Sequence, residues 1–201
     1  MKKLVLYMLL SVLLLSSAQA GDSFDKLKDK LAGAKCVRLD FLSIIESDIF
    51  ERIDTTLGTA YIADDGRYLV VLGEDEYLYN LELLYSYSKV NNQVTIEKID
   101  SRTGEDVVFV MRLDSLYNSS AVKKDREYRL VKKDSVFESN IPDSMLLYMD
   151  PEKLVLLEIE YFDVNEELNR IVFLKQETGP ACDESRFTPQ FPDSVEQIKL
   201  W

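Results

Sequence analysis

Gly58-Thr59-Ala60-Tyr61-Ile62-Ala63-Asp64-Asp65-Gly66-Arg67-Tyr68-Leu69-Val70-Val71-Leu72-Gly73-Glu74-Asp75-Glu76-Tyr77-Leu78-Tyr79 is the run that decides the fold. Three short stretches rich in β-branched and aromatic residues are divided by Asp-Asp-Gly and Gly-Glu-Asp, both turn signals. Strands this short, repeating near every ten residues, predict an antiparallel meander.

The pattern extends both ways. Upstream, Val37, Leu39 and Phe41 alternate with Arg38 and Asp40, a strand with one wet face. Strands are expected at 49–54, 56–62, 67–72, 76–79, 84–88 and 94–99, with Asn91-Asn92 as a further hairpin loop. The apolar run 107–111 suits a strand, although Asp106 could equally cap a short helix there. Asn118-Ser119-Ser120 and the charged stretch 123–126 read as loop, and strands resume at 128–131, 154–162 and 170–176. Ile141-Pro142-Asp143-Ser144 reads as a turn and helix start, because Pro142 lacks a ladder donor. Phe24, Leu27 and Leu31 are spaced three and four apart, one face of an amphipathic helix over 24–34 with Asp22 or Ser23 as cap and Gly33 near its end. With no linker or repeat, the expectation is a mainly β (α+β) fold in one domain, 21–201.

The first twenty residues read as an address. Lys2 and Lys3, an apolar run over 4–15 broken only by Ser11, and Ala18-Gln19-Ala20 form a signal peptide cleaved after Ala20. Without Lys2 and Lys3, 22 basic residues face 36 acidic ones, a net charge of −14. Such a chain repels nucleic acid and anionic membrane surfaces. Cys36 and Cys182, the two cysteines, are expected to pair in the oxidising compartment that the leader implies.

Histidine is absent, which removes Ser-His-Asp and Cys-His pairs and His-bearing zinc sites. No phosphate-binding glycine loop or EF-hand loop is present, and Asp64-Asp65 before Gly66 suit a turn better than acid–base work. The expectation is therefore no enzyme, no cofactor and no metal site. Tyr61, Tyr68, Tyr77, Tyr79, Tyr85 and Tyr87 crowd one part of the sheet. A single sheet with few helices either curls round its own core or encloses a ligand space, and composition leaves both open.

Several pieces, in order, resemble the LolA family of periplasmic lipoprotein carriers. A leader, an amphipathic helix and a strand ending in Phe41 come first. The glycine-led Gly58-Thr59-Ala60-Tyr61-Ile62, then Arg67-Tyr68, then Leu84-Tyr85-Ser86-Tyr87 with Asn92-Gln93-Val94 follow. Phe187-Thr188-Pro189 with Pro192 and Val195 is similar to the family's terminal signature. The chain departs from the family at Asp64-Asp65, where a basic residue and Pro are usual; the arginine linked there to lid closure has no direct equivalent, and Arg67 lies three positions on.

The resemblance implies a curved antiparallel sheet forming an incomplete barrel, with short helices closing the concave side over an apolar space for acyl chains. Its implied partners are acylated lipoproteins, an inner-membrane exporter and an outer-membrane acceptor, met by a soluble periplasmic monomer. A related half-barrel sensing envelope stress is the alternative. Strand alternation gives an expected inward set of Leu39, Phe41, Tyr68, Val70, Tyr85, Tyr87 and Ile96. The face of the Tyr68 strand is taken from the resemblance, since Arg67, Leu69 and Val71 are the other choice. Phe24, Leu27 and Leu31 would belong to the lid.

Overall fold

In the computed structural model of the chain, residues 22–47, 49–98, 113–136 and 141–201 are described. The expected leader and the 107–111 run lie outside them.

Strand β1 (Cys36–Ser47) is the spine. It pairs antiparallel with β2 (Arg52–Ala63) on one side and with β11 (Leu168–Gly179) on the other. Beyond β2 come β3 (Tyr68–Leu72), β4 (Asp75–Tyr79), β5 (Leu83–Ser88), β6 (Gln93–Lys98) and finally β12 (Glu196–Leu200). Beyond β11 come β10 (Val155–Phe162), β9 (Ser144–Asp150), β8 (Glu127–Lys132) and β7 (Tyr117–Lys123). Among the described residues twelve strands form one sheet with β12 and β7 at its two edges, so the barrel is incomplete. All pairs are antiparallel except β12 with β6, which is parallel. Register slips at Asp40/Phe41, Ala121/Lys123 and Leu156/Glu158 mark bulges, which bend a strand and sharpen its twist.

Turn chemistry explains the hairpins. Gly66 has φ of +96°, which only glycine adopts freely, and the Asp65 carboxylate accepts from the Arg67 backbone N–H at 3.1 Å. The expected separate strands at 49–54 and 56–62 are one strand, β2, because no turn residue interrupts them. Two elements differ in kind. The 118–120 stretch read as loop lies in β7, and the helix start expected at Ser144 is the first residue of β9. Pro142 precedes that strand, where its missing donor does no harm.

Helix α1 (Ser23–Ala32) lies on the concave face, with Phe24, Leu27 and Leu31 buried. The Asp22 side chain caps it by accepting from the Phe24 N–H, and Gly33 ends it. The short α2 (Leu113–Leu116) adds buried Leu113 and Leu116 to the same core. A 146-residue loop is closed by the Cys36–Cys182 disulfide, with its Cα atoms 5.0 Å apart. Closing a loop that long contributes about 5 kcal/mol in the chain-entropy picture.

Candidate functional site

Side chains alternate across a strand, so register assigns each residue to a face. One row runs Leu39–Ala60–Val70–Tyr77, and its neighbour runs Val37–Ile62–Tyr68–Tyr79–Leu84. Their buried members belong to the core beneath α1, as do Phe41 and Phe173. Tyr128 and Leu130 of β8, Met145, Leu147 and Met149 of β9, and Leu156 and Ile159 of β10 complete it.

The opposite row runs Arg38–Tyr61–Leu69–Leu78–Tyr85–Ile96. Tyr85, Tyr87 and Ile96 therefore do not face α1, which corrects the expected inward set. They pack in a second cluster with Val94, Val195 and Phe191. Phe191 sits 5.1 Å from the Tyr87 ring and 5.9 Å from the Tyr85 ring, between centroids. Leu39, Phe41, Tyr68 and Val70 do share the concave face. Strand β5 carried no warning of this, because Leu84 and its neighbours Tyr85 and Tyr87 are apolar on both parities.

Residues after Cys182 form a strap over that convex cluster. A single 3-10 turn, Glu184–Phe187, is capped by Asp183 and buries Phe187. Arg67 grips the strap: its guanidinium meets Glu184 at 2.5 and 3.1 Å and Asp65 at 2.8 Å, and lies 4.8 Å from the Phe187 ring. Arg67 thus serves the strap rather than the helix side. Phe187 and Val195, two residues of the strap itself, are buried on its inner side.

Helix α1 is held on the concave face chiefly by its apolar side. Phe24 stacks on Tyr128, 4.6 Å between ring centroids. The Tyr128 hydroxyl donates to Asp22, and the Ser23 backbone N–H donates to Asp125 at 3.2 Å. Burial, then the hydrogen bond to Asp22, pushes the Tyr128 phenol above its ordinary value. The hydrogen bond from Ser23 holds Asp125 below the usual carboxylate range. At the far end, Lys30 donates to the carbonyls of Lys153 and Leu154 at 3.2 and 2.9 Å. Lys28 meets Asp114 of α2 at 2.7 Å and Asp25 at 2.9 Å. The lysine latches are exposed, and exposed pairs contribute about 0–1 kcal/mol each. The part-buried hydrogen bond from Tyr128 to the Asp22 carboxylate contributes about 1.5–3 kcal/mol. Burying the three apolar side chains contributes about 1.5–3 kcal/mol apiece. The helix is a plug with an apolar grip and weak outer fastenings.

A cleft of about 840 Å³ opens at one rim of the sheet, where the start of β9, the end of β10 and the β10–β11 turn meet. Ile141, Met145, Leu146, Tyr161, Phe162 and Val164 supply its apolar lining. Ile141 and Met145 are also core residues, so its wall is continuous with the apolar interior. None of the residues expected from the sequence lines it. The missed signal was the alternation Met145-Leu147-Met149 in β9.

No family model matches the sequence, and no curated protein matches it either. Among solved structures, an uncharacterized conserved protein from Thermus thermophilus is similar over 89% of this chain and 99% of its own, at 10% identity and a TM-score of 0.54. A putative outer membrane lipoprotein-sorting protein domain from Vibrio parahaemolyticus covers 82% and 94%, at 10% identity and a TM-score of 0.48. A LolA superfamily protein from Nitrosomonas europaea covers 85% and 99%, at 10% identity and a TM-score of 0.43. The open curved sheet wrapped round a plug helix is a half-barrel. It shares that fold with the Thermus thermophilus protein.

Proposed function

We propose that this protein is a periplasmic carrier that shields lipoprotein acyl chains between the inner and the outer membrane. One observation carries the reading: α1 covers the apolar concave face through Phe24, Leu27 and Leu31 and is fastened outside by weak contacts. An acyl chain of about fifteen methylenes gains about 12 kcal/mol on leaving water, at ~0.8 kcal/mol per CH₂. Returning the three helix side chains to water costs about 5–9 kcal/mol, and breaking the Tyr128–Asp22 hydrogen bond about 1.5–3 kcal/mol more. The balance favours exchange of helix for chain by at most a few kcal/mol, shallow enough for cargo to be handed on. In this reading α1 is the lid, the face of Leu39, Phe41, Tyr68 and Val70 meets the chain, and the rim cleft is its mouth.

The disulfide supports export to an oxidising compartment. Among the described residues no helix is long and apolar enough to cross a membrane. Carriage needs no bond-making chemistry, so the absence of histidine from the sequence is no obstacle to it. Native mass spectrometry of the protein purified from its own periplasm tests the reading. A co-purifying acylated species is expected. A bare protein that also takes no acyl probe in solution would remove the carrier and leave the envelope-sensing alternative.

A further inference from the structure

The two edges of the sheet are unlike. On β12, Glu196 and Lys199 put charges along the strand, a common defence against stray pairing. On β7, residues 118–122 read Asn-Ser-Ser-Ala-Val, without charge or proline, and all five are exposed; the pairing with β8 is regular from Tyr117 to Ala121 and slips in a bulge only between Ala121 and Lys123. The backbone there is available in a definite way. The Lys133 N–H donates to the Leu116 carbonyl at 2.9 Å, and the β7–β8 register pairs Asn118 with Val131 and Ser120 with Arg129. Hydrogen-bonded and non-bonded pairs alternate in an antiparallel ladder, so Asn118 and Ser120 bond towards β8. Ser119 and Ala121 then direct their N–H and C=O groups away from the sheet.

The charge around this edge is also unlike the rest. Residues 123–133 carry six basic side chains (Lys123, Lys124, Arg126, Arg129, Lys132 and Lys133) and two acidic ones, in a chain whose net charge is −12. One acid, Asp125, is occupied at the N-terminus of α1. Lys123, Lys124 and Arg126 flank one end of β7; at the other end Lys132 is paired with Asp143 at 2.5 Å and the Lys133 ammonium donates to the Asp114 carbonyl.

We infer that β7 is a docking edge that takes an extended, acidic segment of another protein as an added strand. Backbone groups of Ser119 and Ala121 would supply the ladder, and Lys123, Lys124 and Arg126 at one end would select an acidic flank. A second copy of this chain fits poorly. Antiparallel self-pairing centred on Ser120 sets Lys123 and Lys124 of each copy beside Lys132 and Lys133 of the other, like against like.

The test uses the full exported protein and two synthetic octapeptides of alternating Thr and Val, one with Glu and one with Lys at both ends. Amide exchange followed by NMR is the readout. The acidic peptide should slow exchange at Ser119 and Ala121 roughly tenfold or more and bind at least about tenfold tighter than the basic one. Rising salt should weaken it. Ala121→Pro, which removes an outward N–H from an edge strand that tolerates proline, should abolish binding with the fold intact, and Ser119→Pro is the duplicate should that variant unfold. The double change Lys123→Glu with Lys124→Glu should weaken binding roughly tenfold. The inference is overturned if neither peptide protects β7, if both bind alike, if the proline variants bind as wild type, or if the β7 amides are already protected in the free protein.

Discussion

Phe24 of α1 and Tyr128 of β8 stack with 4.6 Å between ring centroids, and the Tyr128 hydroxyl donates to Asp22, the cap of the same helix. One tyrosine therefore holds both the apolar grip and the polar start of the plug. Tyr128→Phe keeps the ring and deletes the hydrogen bond to a carboxylate, which should cost about 1.5–3 kcal/mol. Urea unfolding should register that loss. If α1 is the lid, the same variant should bind a fluorescent acyl probe tighter than wild type, by roughly tenfold for each 1.4 kcal/mol taken from the closed form.

The same contact sets an alkaline limit. Tyr128 keeps its proton in the folded state to a higher pH than the ordinary phenol value of 10.0. Above pH 10 the unfolded chain loses that proton while the folded chain holds it, so stability falls as pH rises. The fall should be visible in unfolding midpoints between pH 9 and about 11, and shallower in Tyr128→Phe.

An acid limit follows from Asp125. Its carboxylate is held below 3.8 by the hydrogen bond from Ser23, so its stabilisation is present above that value and is lost as pH falls through the lower, folded one. Protection factors along α1, with the intrinsic pH dependence of exchange divided out, should fall below pH about 4. In Asp125→Asn the fall should be weaker, and the helix already looser at neutral pH.

Sheet register separates the face under α1 from the strap face. Tyr68→Glu places a charge among apolar neighbours under α1 and should abolish acyl-probe binding. Ile96→Glu strikes the convex cluster with Val195 and Phe191, so it should lower stability yet leave binding in the surviving folded protein. Arg38→Glu, also convex, should spare binding too. Loss of binding in Ile96→Glu at full stability would put the ligand on the other face.

Gly58 faces Phe41 across the β1–β2 ladder. A Cβ at Gly58 would sit 2.9 Å from one Phe41 ring carbon and closer still to two others, so the ring must move. Gly58→Ala should cost about 1–3 kcal/mol, the usual range for overpacking. Phe41→Leu combined with it should recover part of that loss in thermal unfolding, because the shorter side chain vacates the ring position.

How much of this was legible follows from particular residues. Val37, Leu39 and Phe41 against Arg38 and Asp40 spelled a half-wet strand, and β1 is that strand. Phe24, Leu27 and Leu31 spelled a buried helix face, and all three are buried. Strand β7 could not be read, because Asn118, Ser119 and Ser120 bury nothing and owe their conformation to pairing with β8. Strand β9 was hidden because Met145, Leu147 and Met149 follow a turn-like Pro142-Asp143. Tyr85 and Tyr87 went to the wrong face because period two says only that neighbours oppose each other; which one faces the helix is a tertiary fact.

The central claim is that acyl chains and α1 compete for one apolar face. Amide exchange of α1 in the wild-type protein, with and without a saturating fluorescent acyl probe, measures that competition directly. The account predicts saturable binding with faster exchange across residues 23–32 and slower exchange in β8 and β9. Absence of binding, or binding that leaves α1 as protected as before, would contradict it.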